Sequence, residues 1–324
     1  MSPLLEIKNL KTHFSTAKGT VKAVDGVDIT LKAGDTLGIV GESGCGKTVL
    51  ALSILRLIPI PPGRIVSGQI LFDGRDLLQL TQDEMRQVRG RDISMVFQEP
   101  MTSLNPVFKV GDQIAEGIRV NQHTTRHQAQ QRAVEMLRLV GIPDPEVRTG
   151  NYPHQMSGGM RQRVMIAMAM ACNPRLMLAD EPTTALDVTI QAQIIDLINR
   201  LKSEIGTSVI LVTHDLGVIA EAAQQVAVMY AGRIVEQADV SDLFTKPLHP
   251  YTLGLMLSIP RLDKKKEARN RLAVIPGAIP PLYNLPAGCS FQDRCADVMA
   301  ICRQRHPELT EPHLNHQVRC WKYE

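Results

Sequence analysis

Apolar residues follow two patterns along the chain that predict β-strands. Val27, Ile29 and Leu31 alternate with polar residues, as in a strand with one buried face. Short apolar runs predict buried strands at residues 36–40, 93–97, 176–179, 209–213 and 226–230. Because helical stretches separate several of these runs, the pattern favours a parallel α/β sheet.

Apolar residues at helical spacing predict the helices. Residues 49–58 form a helical stretch directly after the first apolar run. A helical insert is predicted at about residues 110–171, where the spaced apolar positions are Ala133, Met136, Leu137 and Val140. The same spacing returns at Ile190, Ile194, Leu197, Ile198 and Leu201.

The composition is that of an ordinary globular protein: 324 residues, 44% hydrophobic and 21% charged. With 36 Lys and Arg against 33 Asp and Glu, the net charge of +3 gives no global signature of nucleic-acid binding. The longest apolar run, residues 164–172, is far shorter than the roughly 18 residues of a membrane span. The first eleven residues lack the pattern of a secretory signal, so we expect a cytosolic location.

The composition changes after about residue 244, where prolines recur at positions 247, 250, 260, 276, 280, 281 and 286. The charged stretch 263–267 interrupts this segment. Its three lysines, at 264–266, are typical of a solvated linker, although they would also suit contact with phosphate or anionic lipid. We therefore predict one domain at residues 1–245 and a second at residues 246–324.

A glycine-rich motif at residues 41–48, Gly-Glu-Ser-Gly-Cys-Gly-Lys-Thr, follows a predicted strand and precedes a predicted helix. Backbone N–H groups of such a loop face the β-phosphate of a nucleotide, and the helix N-terminus adds positive potential. Lys47 is expected to reach the β/γ-phosphates and Thr48 to bind Mg²⁺. The candidate phosphate-binding residues are Gly41, Ser43, Gly44, Cys45, Gly46, Lys47 and Thr48.

An apolar strand at residues 176–179 ends in two carboxylates, Asp180 and Glu181. A buried parallel strand delivers such acids to the carboxyl edge of its sheet. Asp180 is expected to hold Mg²⁺ through water. Glu181 is assigned as the general base, or the residue that positions the attacking water at the γ-phosphate.

A second glycine-rich helix start lies at Ser157-Gly158-Gly159-Met160. Together with Gln98, the segment Ala185-Leu186-Asp187 and His214, in this order and spacing, it makes the chain resemble an ABC-transporter ATPase subunit. The resemblance implies an α/β fold: a P-loop ABC ATPase core, a helical subdomain at about residues 99–171 and a small cysteine-containing C-terminal extension.

The resemblance implies that two subunits sandwich ATP head to tail, so that Ser157, Gly158 and Gly159 cap the γ-phosphate bound by Lys47 of the opposite subunit. The chain has Met156 and Met160 where the family usually has Leu and Gln, and it keeps the phosphate-facing Ser and Gly residues.

Three further roles follow from the same resemblance. His214 would touch the γ-phosphate as the switch histidine, and Gln98 would join Mg²⁺ and the attacking water to the helical insert. Phe14 would stack on adenine, although an insertion-like stretch at residues 15–20 follows it.

The resemblance narrows to dipeptide and oligopeptide importer ATPases at residues 98–106, Gln-Glu-Pro-Met-Thr-Ser-Leu-Asn-Pro, at residues 153–160 and at His249-Pro250-Tyr251-Thr252. It implies a peripheral subunit on the cytoplasmic face of the inner or plasma membrane. The implied partners are two membrane-spanning permease subunits, a second and related ATPase chain and an extracytoplasmic solute-binding protein. Import of nickel, glutathione or another small solute stays open, as does a soluble ABC ATPase acting on nucleic acid or ribosomes.

Four of the six cysteines, Cys289, Cys295, Cys302 and Cys320, lie in the last 36 residues with the spacing C-x5-C-x6-C-x17-C. Such thiolates suit zinc or an iron–sulfur cluster. The tight pairs usual in structural zinc sites are absent, and the subfamily resemblance implies a [4Fe–4S] cluster. Zinc and free thiols remain alternatives, and the extension is either a structural staple or a redox-sensing module.

Overall fold

The computed structural model describes residues 2–99, 103–184, 186–258 and 274–324. The strands are β1 (Leu5–Thr16), β2 (Gly19–Leu31), β3 (Thr36–Val40), β4 (Gly63–Phe72), β5 (Arg75–Asp76), β6 (Ile93–Val96), β7 (Leu176–Asp180), β8 (Ser208–Thr213), β9 (Gln225–Tyr230), β10 (Arg233–Asp239), β11 (Thr310–His313) and β12 (His316–Val318). The α-helices are α1 (Lys47–Ile54), α2 (Gln82–Val88), α3 (Val110–Gln122), α4 (Arg126–Leu139), α5 (Pro145–Arg148), α6 (Gly158–Met170), α7 (Val188–Ile205), α8 (Leu216–Ala222), α9 (Val240–Thr245) and α10 (Pro250–Leu257).

The chain divides into two compact units. The first consists mainly of Leu31–Thr36 and Asp76–Val212, and the second of Leu5–Thr30, Leu37–Arg75 and Thr213–Glu324. The predicted division at residues 245–246 stays a prediction. The predicted linker at residues 263–267 lies outside the described residues.

The first unit contains parallel strands and the helical insert. β6 pairs with β7 and β7 with β8, both in parallel. Every residue of β7 is buried, as the continuous apolar run predicts. Helix α4 begins at a capping box in which Thr125 and Gln128 satisfy each other's backbone N–H groups, and it buries the predicted Ala133, Met136 and Leu137.

The second unit contains a mostly antiparallel set of strands beside a parallel pair. β1 lies between β2 and β4, and it pairs with β4 in antiparallel fashion. β3 and β9 are parallel, while β10, β12 and β11 follow as antiparallel neighbours. The glycine-rich motif therefore emerges from β3 at the carboxyl end of a parallel strand.

The predicted strands and the long helices are confirmed, and one local interpretation is corrected. The insertion-like stretch at residues 15–20 forms the end of β1, a tight turn and the start of β2. The predicted helix at residues 49–58 ends at Ile54, since Arg56 adopts a left-handed φ of 52° and three of residues 59–62 are prolines.

Within the second unit, the C-terminal extension is held to β10 by a buried polar contact and to β9 by aromatic packing. Glu236 on β10 is fully buried, and its carboxylate accepts hydrogen bonds from the backbone N–H groups of Leu248 (2.7 Å) and His249 (2.9 Å). The Nε2 atom of His316 lies 2.7 Å from the same carboxylate. Phe291 packs on Tyr230, His249 and Tyr251, with ring centroids 5.2 to 5.7 Å apart.

Among the described residues, the structure contains no helix with the length and apolar character required to span a bilayer.

Candidate active site

The phosphate loop is shaped by two glycines that the local packing requires. Gly46 has φ 112°, and a Cβ atom there would lie 2.0 Å from the carbonyl oxygen of Ala23. At Gly41 a Cβ atom would lie 2.2 Å from the carbonyl oxygen of Met229. No other residue type fits either position without moving the backbone. The predicted motif thus forms the loop between β3 and α1, as expected.

Lys47 begins α1 and is buried, with only 5% of its surface exposed. Its ammonium group donates to the carbonyl oxygens of Gly41 (2.7 Å) and Glu42 (3.2 Å), so the side chain folds back across the loop. The Sγ atom of Cys45 lies 4.0 Å from this ammonium group, and burial raises the pKa of the Cys45 thiol. The cationic charge of Lys47 is therefore fixed at the loop where a phosphate chain is expected to bind.

Glu42 is held by residues that sequence analysis did not assign to the site. Both oxygens of its carboxylate accept hydrogen bonds from the guanidinium group of Arg294, over 2.6 and 2.9 Å. The backbone N–H of Glu42 donates to the hydroxyl oxygen of Tyr251 over 2.9 Å. The hydrogen-bonded carboxylate of Glu42 raises the pKa of the Arg294 guanidinium. Tyr251 belongs to the His249–Thr252 segment that carries the subfamily resemblance, but that segment gave no contact with the loop, and Arg294 stands in no recognisable motif.

In the first unit, the structure brings Gln98 and Glu181 together. The amide Nε2 of Gln98 donates to the carboxylate of Glu181 over 3.2 Å, and the hydroxyl of Thr184 donates to the same oxygen over 2.8 Å. Glu181 has a left-handed φ of 45°, and its N–H is bonded to the carbonyl of Val212. A residue in this strained conformation is characteristic of functional sites. Asp180, directly before it, is buried at the end of β7.

The second glycine-rich segment forms the exposed start of α6, which has 13 residues. Ser157 is its N-cap, and its hydroxyl accepts a hydrogen bond from the N–H of Met160 over 3.3 Å. Met156 is buried, so this unusual residue keeps the apolar character of the leucine it replaces. Within the segment 185–187, Asp187 caps α7 through Ile190, and Ala185 lies outside the described residues.

The remaining predicted nucleotide contacts lie in the second unit. His214 is exposed after β8, directly before the N-cap of α8. Phe14, near the end of β1, is partly exposed, and its ring lies against the backbone of Gly63 in β4. The predicted roles of His214 and Phe14 at a nucleotide stay predictions.

The four C-terminal cysteines line one small pocket, together with aromatic and polar neighbours such as His249, Phe291 and Trp321. All four are free thiols: Cys289, Cys295, Cys302 and Cys320. Burial, with the nearby thiols, raises the pKa of Cys289 to about 11. Over the residues that the structure describes, no group of three or more His, Cys, Asp or Glu side chains is arranged to hold a metal ion.

Comparisons with known proteins identify the family to which the chain belongs. Residues 24–184 match the family model described as ABC transporter, and residues 235–302 match the model described as oligopeptide/dipeptide transporter, C-terminal region. The chain belongs to the ATP-binding proteins of ABC transporters, and within them to the oligopeptide/dipeptide group.

Among its relatives is a probable peptide ABC transporter ATP-binding protein of Sinorhizobium fredii, 55% identical over 98% of this chain and 95% of that protein. The oligopeptide transport ATP-binding protein OppD of Bacillus subtilis is 52% identical over 98% of this chain and 88% of its own length. Among solved structures, the dimeric post-hydrolysis state of the ATP-binding cassette MJ0796 bound to ADP and phosphate is similar, with TM-score 0.66 and 27% identity over 73% of this chain and 98% of that one.

Proposed function

We propose that this chain is the ATP-hydrolysing subunit of an ABC importer and powers the uptake of dipeptides or oligopeptides. The observation that carries the proposal is the hydrogen bond between Gln98 and Glu181 in a chain that also contains a complete phosphate loop. The names of the relatives, which include peptide, oligopeptide and dipeptide transport proteins, support peptides as the solute.

In this proposal, Glu181 accepts a proton from, or orients, the water that attacks the γ-phosphate. Gln98 holds the Glu181 carboxylate in position, and Lys47 neutralises charge on the β/γ-phosphates. His214 contacts the γ-phosphate, and Phe14 stacks on adenine. Ser157, Gly158 and Gly159 bind the nucleotide held by a second ATPase subunit, which is consistent with their exposed or partly exposed positions at the start of α6.

Magnesium is the metal expected with ATP in this family. Thr48, Asp180 and Gln98 offer hydroxyl, carboxylate and amide oxygens, which are the hard donors that Mg²⁺ prefers. When bound, Mg²⁺ neutralises charge on the β- and γ-phosphates.

The proposed partners are two membrane-spanning permease subunits, a related ATPase chain and, through the complex, a solute-binding protein outside the membrane. This places the chain at the cytoplasmic face of the membrane. Two apolar side chains just before α3 support a docking surface, because Val107 is 71% and Phe108 55% exposed. Residues 100–102 of the same segment lie outside the described residues.

We further propose that the four C-terminal cysteines hold a [4Fe–4S] cluster. Support comes from their convergence on one pocket in a segment with little regular secondary structure. The cysteines are separated by 5, 6 and 17 residues and lack the tight pairs usual in structural zinc sites, which favours the cluster over zinc. The cluster would cross-link loops that have a small apolar core.

The function is tested on the membrane complex purified from the native host through a tag on this chain and reconstituted in vesicles. We expect ATP-dependent uptake of labelled dipeptides or oligopeptides and peptide-stimulated release of phosphate. Labelled nickel and glutathione are the comparison solutes. Uptake of one of these without uptake of peptide would contradict the proposed solute, and absence of ATP hydrolysis would contradict the proposed activity.

A further inference from the structure

Glu42, the second residue of the phosphate-loop motif, contacts the cysteine-rich extension. Its carboxylate forms a bidentate ion pair with the guanidinium of Arg294, over 2.6 and 2.9 Å, although the two residues are 252 positions apart. The Arg294 side chain is 4% exposed and that of Glu42 33%. A paired, partly buried contact of this geometry is stronger and more directional than a surface salt bridge.

The backbone of Glu42 is held by the same part of the chain. Its N–H donates to the hydroxyl of Tyr251, a buried residue 209 positions further along. Its carbonyl oxygen accepts from the Lys47 ammonium group over 3.2 Å. The side chain, N–H and carbonyl of one loop residue are therefore all engaged, and two of these contacts come from beyond residue 245.

Arg294 is itself fixed in place. Its Nε donates to the carbonyl oxygen of Pro276 over 2.9 Å. Its guanidinium lies 5.7 Å from the ring centre of Tyr230 and 5.9 Å from that of Phe291. Cys295, which lines the cysteine pocket, is the next residue in the chain. The position of Arg294 is thus set by the folded extension.

The charge of Glu42 explains why such an anchor matters for a nucleotide. An unpaired carboxylate beside the loop would repel the phosphates and compete with them for Lys47. The Arg294 guanidinium neutralises this carboxylate by binding both of its oxygens. We infer that Arg294 is a positioning residue of the phosphate loop. Through Arg294, the affinity of the loop for ATP depends on the folded cysteine-rich extension. This inference rests on the proposed function.

The test measures the KM for ATP and kcat of the complete complex carrying Arg294→Gln, with and without Glu42→Gln. We expect Arg294→Gln to raise the KM about tenfold, a loss of about 1.4 kcal/mol in binding, with kcat within about twofold of the parental value. In the Glu42→Gln background the same change should raise the KM less than about threefold, because no carboxylate is left unpaired.

The matched control is Arg303→Gln, which removes an exposed arginine of the same extension and is expected to keep the parental KM. A KM unchanged by Arg294→Gln would overturn the inference. So would an equal rise in both backgrounds, which is also the result if the change merely unfolds the extension. In either case a parental complex that hydrolyses ATP leaves the proposed function standing, whereas a parental complex that binds no ATP overturns both.

Discussion

The amide of Gln98 donates to the carboxylate of Glu181 across 83 positions of sequence, at a distance of 3.2 Å. Glu181 also accepts from Thr184, so two donors fix the direction of its carboxylate. A carboxylate whose orientation is set before the reaction is suited to positioning a water molecule, because little reorganisation is then needed in the transition state.

Replacing Glu181 with Gln should slow hydrolysis while leaving ATP binding intact. The amide keeps the size of the side chain and loses the proton-accepting charge, whose contribution to rate is about 100- to 10,000-fold. Phosphate release and equilibrium binding of labelled ATP measure the two effects. Glu204→Gln, an exposed substitution on α7, is the control. Parental turnover in Glu181→Gln would show that another group activates the water.

Replacing Lys47 with Ala should nearly abolish ATP turnover and weaken ATP binding. The change removes the buried ammonium group that bonds to the carbonyls of Gly41 and Glu42, and with it the charge expected at the β/γ-phosphates. The measurement is nucleotide binding and phosphate release by the purified complex. Lys18→Ala, in the exposed turn between β1 and β2, should match the parent. Normal hydrolysis by Lys47→Ala would refute the assigned role.

Replacing Gly46 with Ala should destabilise the fold. The added Cβ would meet the carbonyl oxygen of Ala23 at 2.0 Å, and the backbone has φ 112°. Overpacking and the conformational penalty together predict a loss of about 3 kcal/mol. Gly34 also has a positive φ, but nothing lies within 4 Å of a Cβ atom built there. Gly34→Ala should therefore lower the free energy of unfolding by only about 1 kcal/mol. Thermal unfolding of both variants checks the difference; equal midpoints would contradict the crowding argument.

Replacing Val107 and Phe108 with Asp should uncouple hydrolysis from transport. Both side chains are largely exposed, and charge at this surface would oppose burial against a permease subunit. We expect retained ATP binding by the chain, together with loss of complex assembly or of peptide uptake. Val120→Asp places the same charge at another exposed valine, on α3. Unchanged assembly and uptake in the double variant would argue against docking through this surface.

Replacing any one of the four C-terminal cysteines with Ser should reduce the cluster content. Protein purified without oxygen from the native host should contain about four iron and four sulfide per chain. Cys172→Ser, in the other compact unit, should leave this content unchanged. Metal analysis and the visible absorption spectrum are the measurements. Stoichiometric zinc without iron would refute the cluster, and an ATPase rate that changes on reduction of an intact cluster would favour a redox-sensing role.

The parts of the fold that the sequence predicts are those in which burial is uniform or regularly periodic. β7 is buried at every residue, and α4 buries Ala133, Met136 and Leu137 at helical spacing, so both patterns are visible locally. β4 alternates irregularly between exposed and buried positions, and its pairing with β1 depends on residues about 60 positions away. Local periodicity therefore found β2 of that sheet through Val27, Ile29 and Leu31 but missed β1 and β4, including the hairpin at residues 15–20.

The same distinction applies to the candidate site. The phosphate loop has a local sequence signal, because the residue types of its motif fall within the eight consecutive positions 41–48. The carbonyl groups that require glycine at Gly41 and Gly46 belong to Met229 and Ala23, which no local pattern connects with the loop. The pairing of Glu42 with Arg294 has no local signal, since a charged residue in a loop is ordinary until the fold brings its partner close. Glu181 is predicted from its place at the end of a buried strand, and Gln98 only through the order of motifs in a known family; their hydrogen bond was not predicted.

The buried carboxylate of Glu236 sets a limit on how this protein can be divided. A chain shortened to residues 1–245 would keep β10, with Glu236 on it, and would lose Leu248, His249 and His316, the partners that contact the carboxylate. The loss of these contacts with a charged acceptor should destabilise the truncated protein by several kcal/mol, so that it should aggregate. The end of the ATPase motifs is therefore not a cutting site, and a stable ATPase fragment must retain the chain through His316.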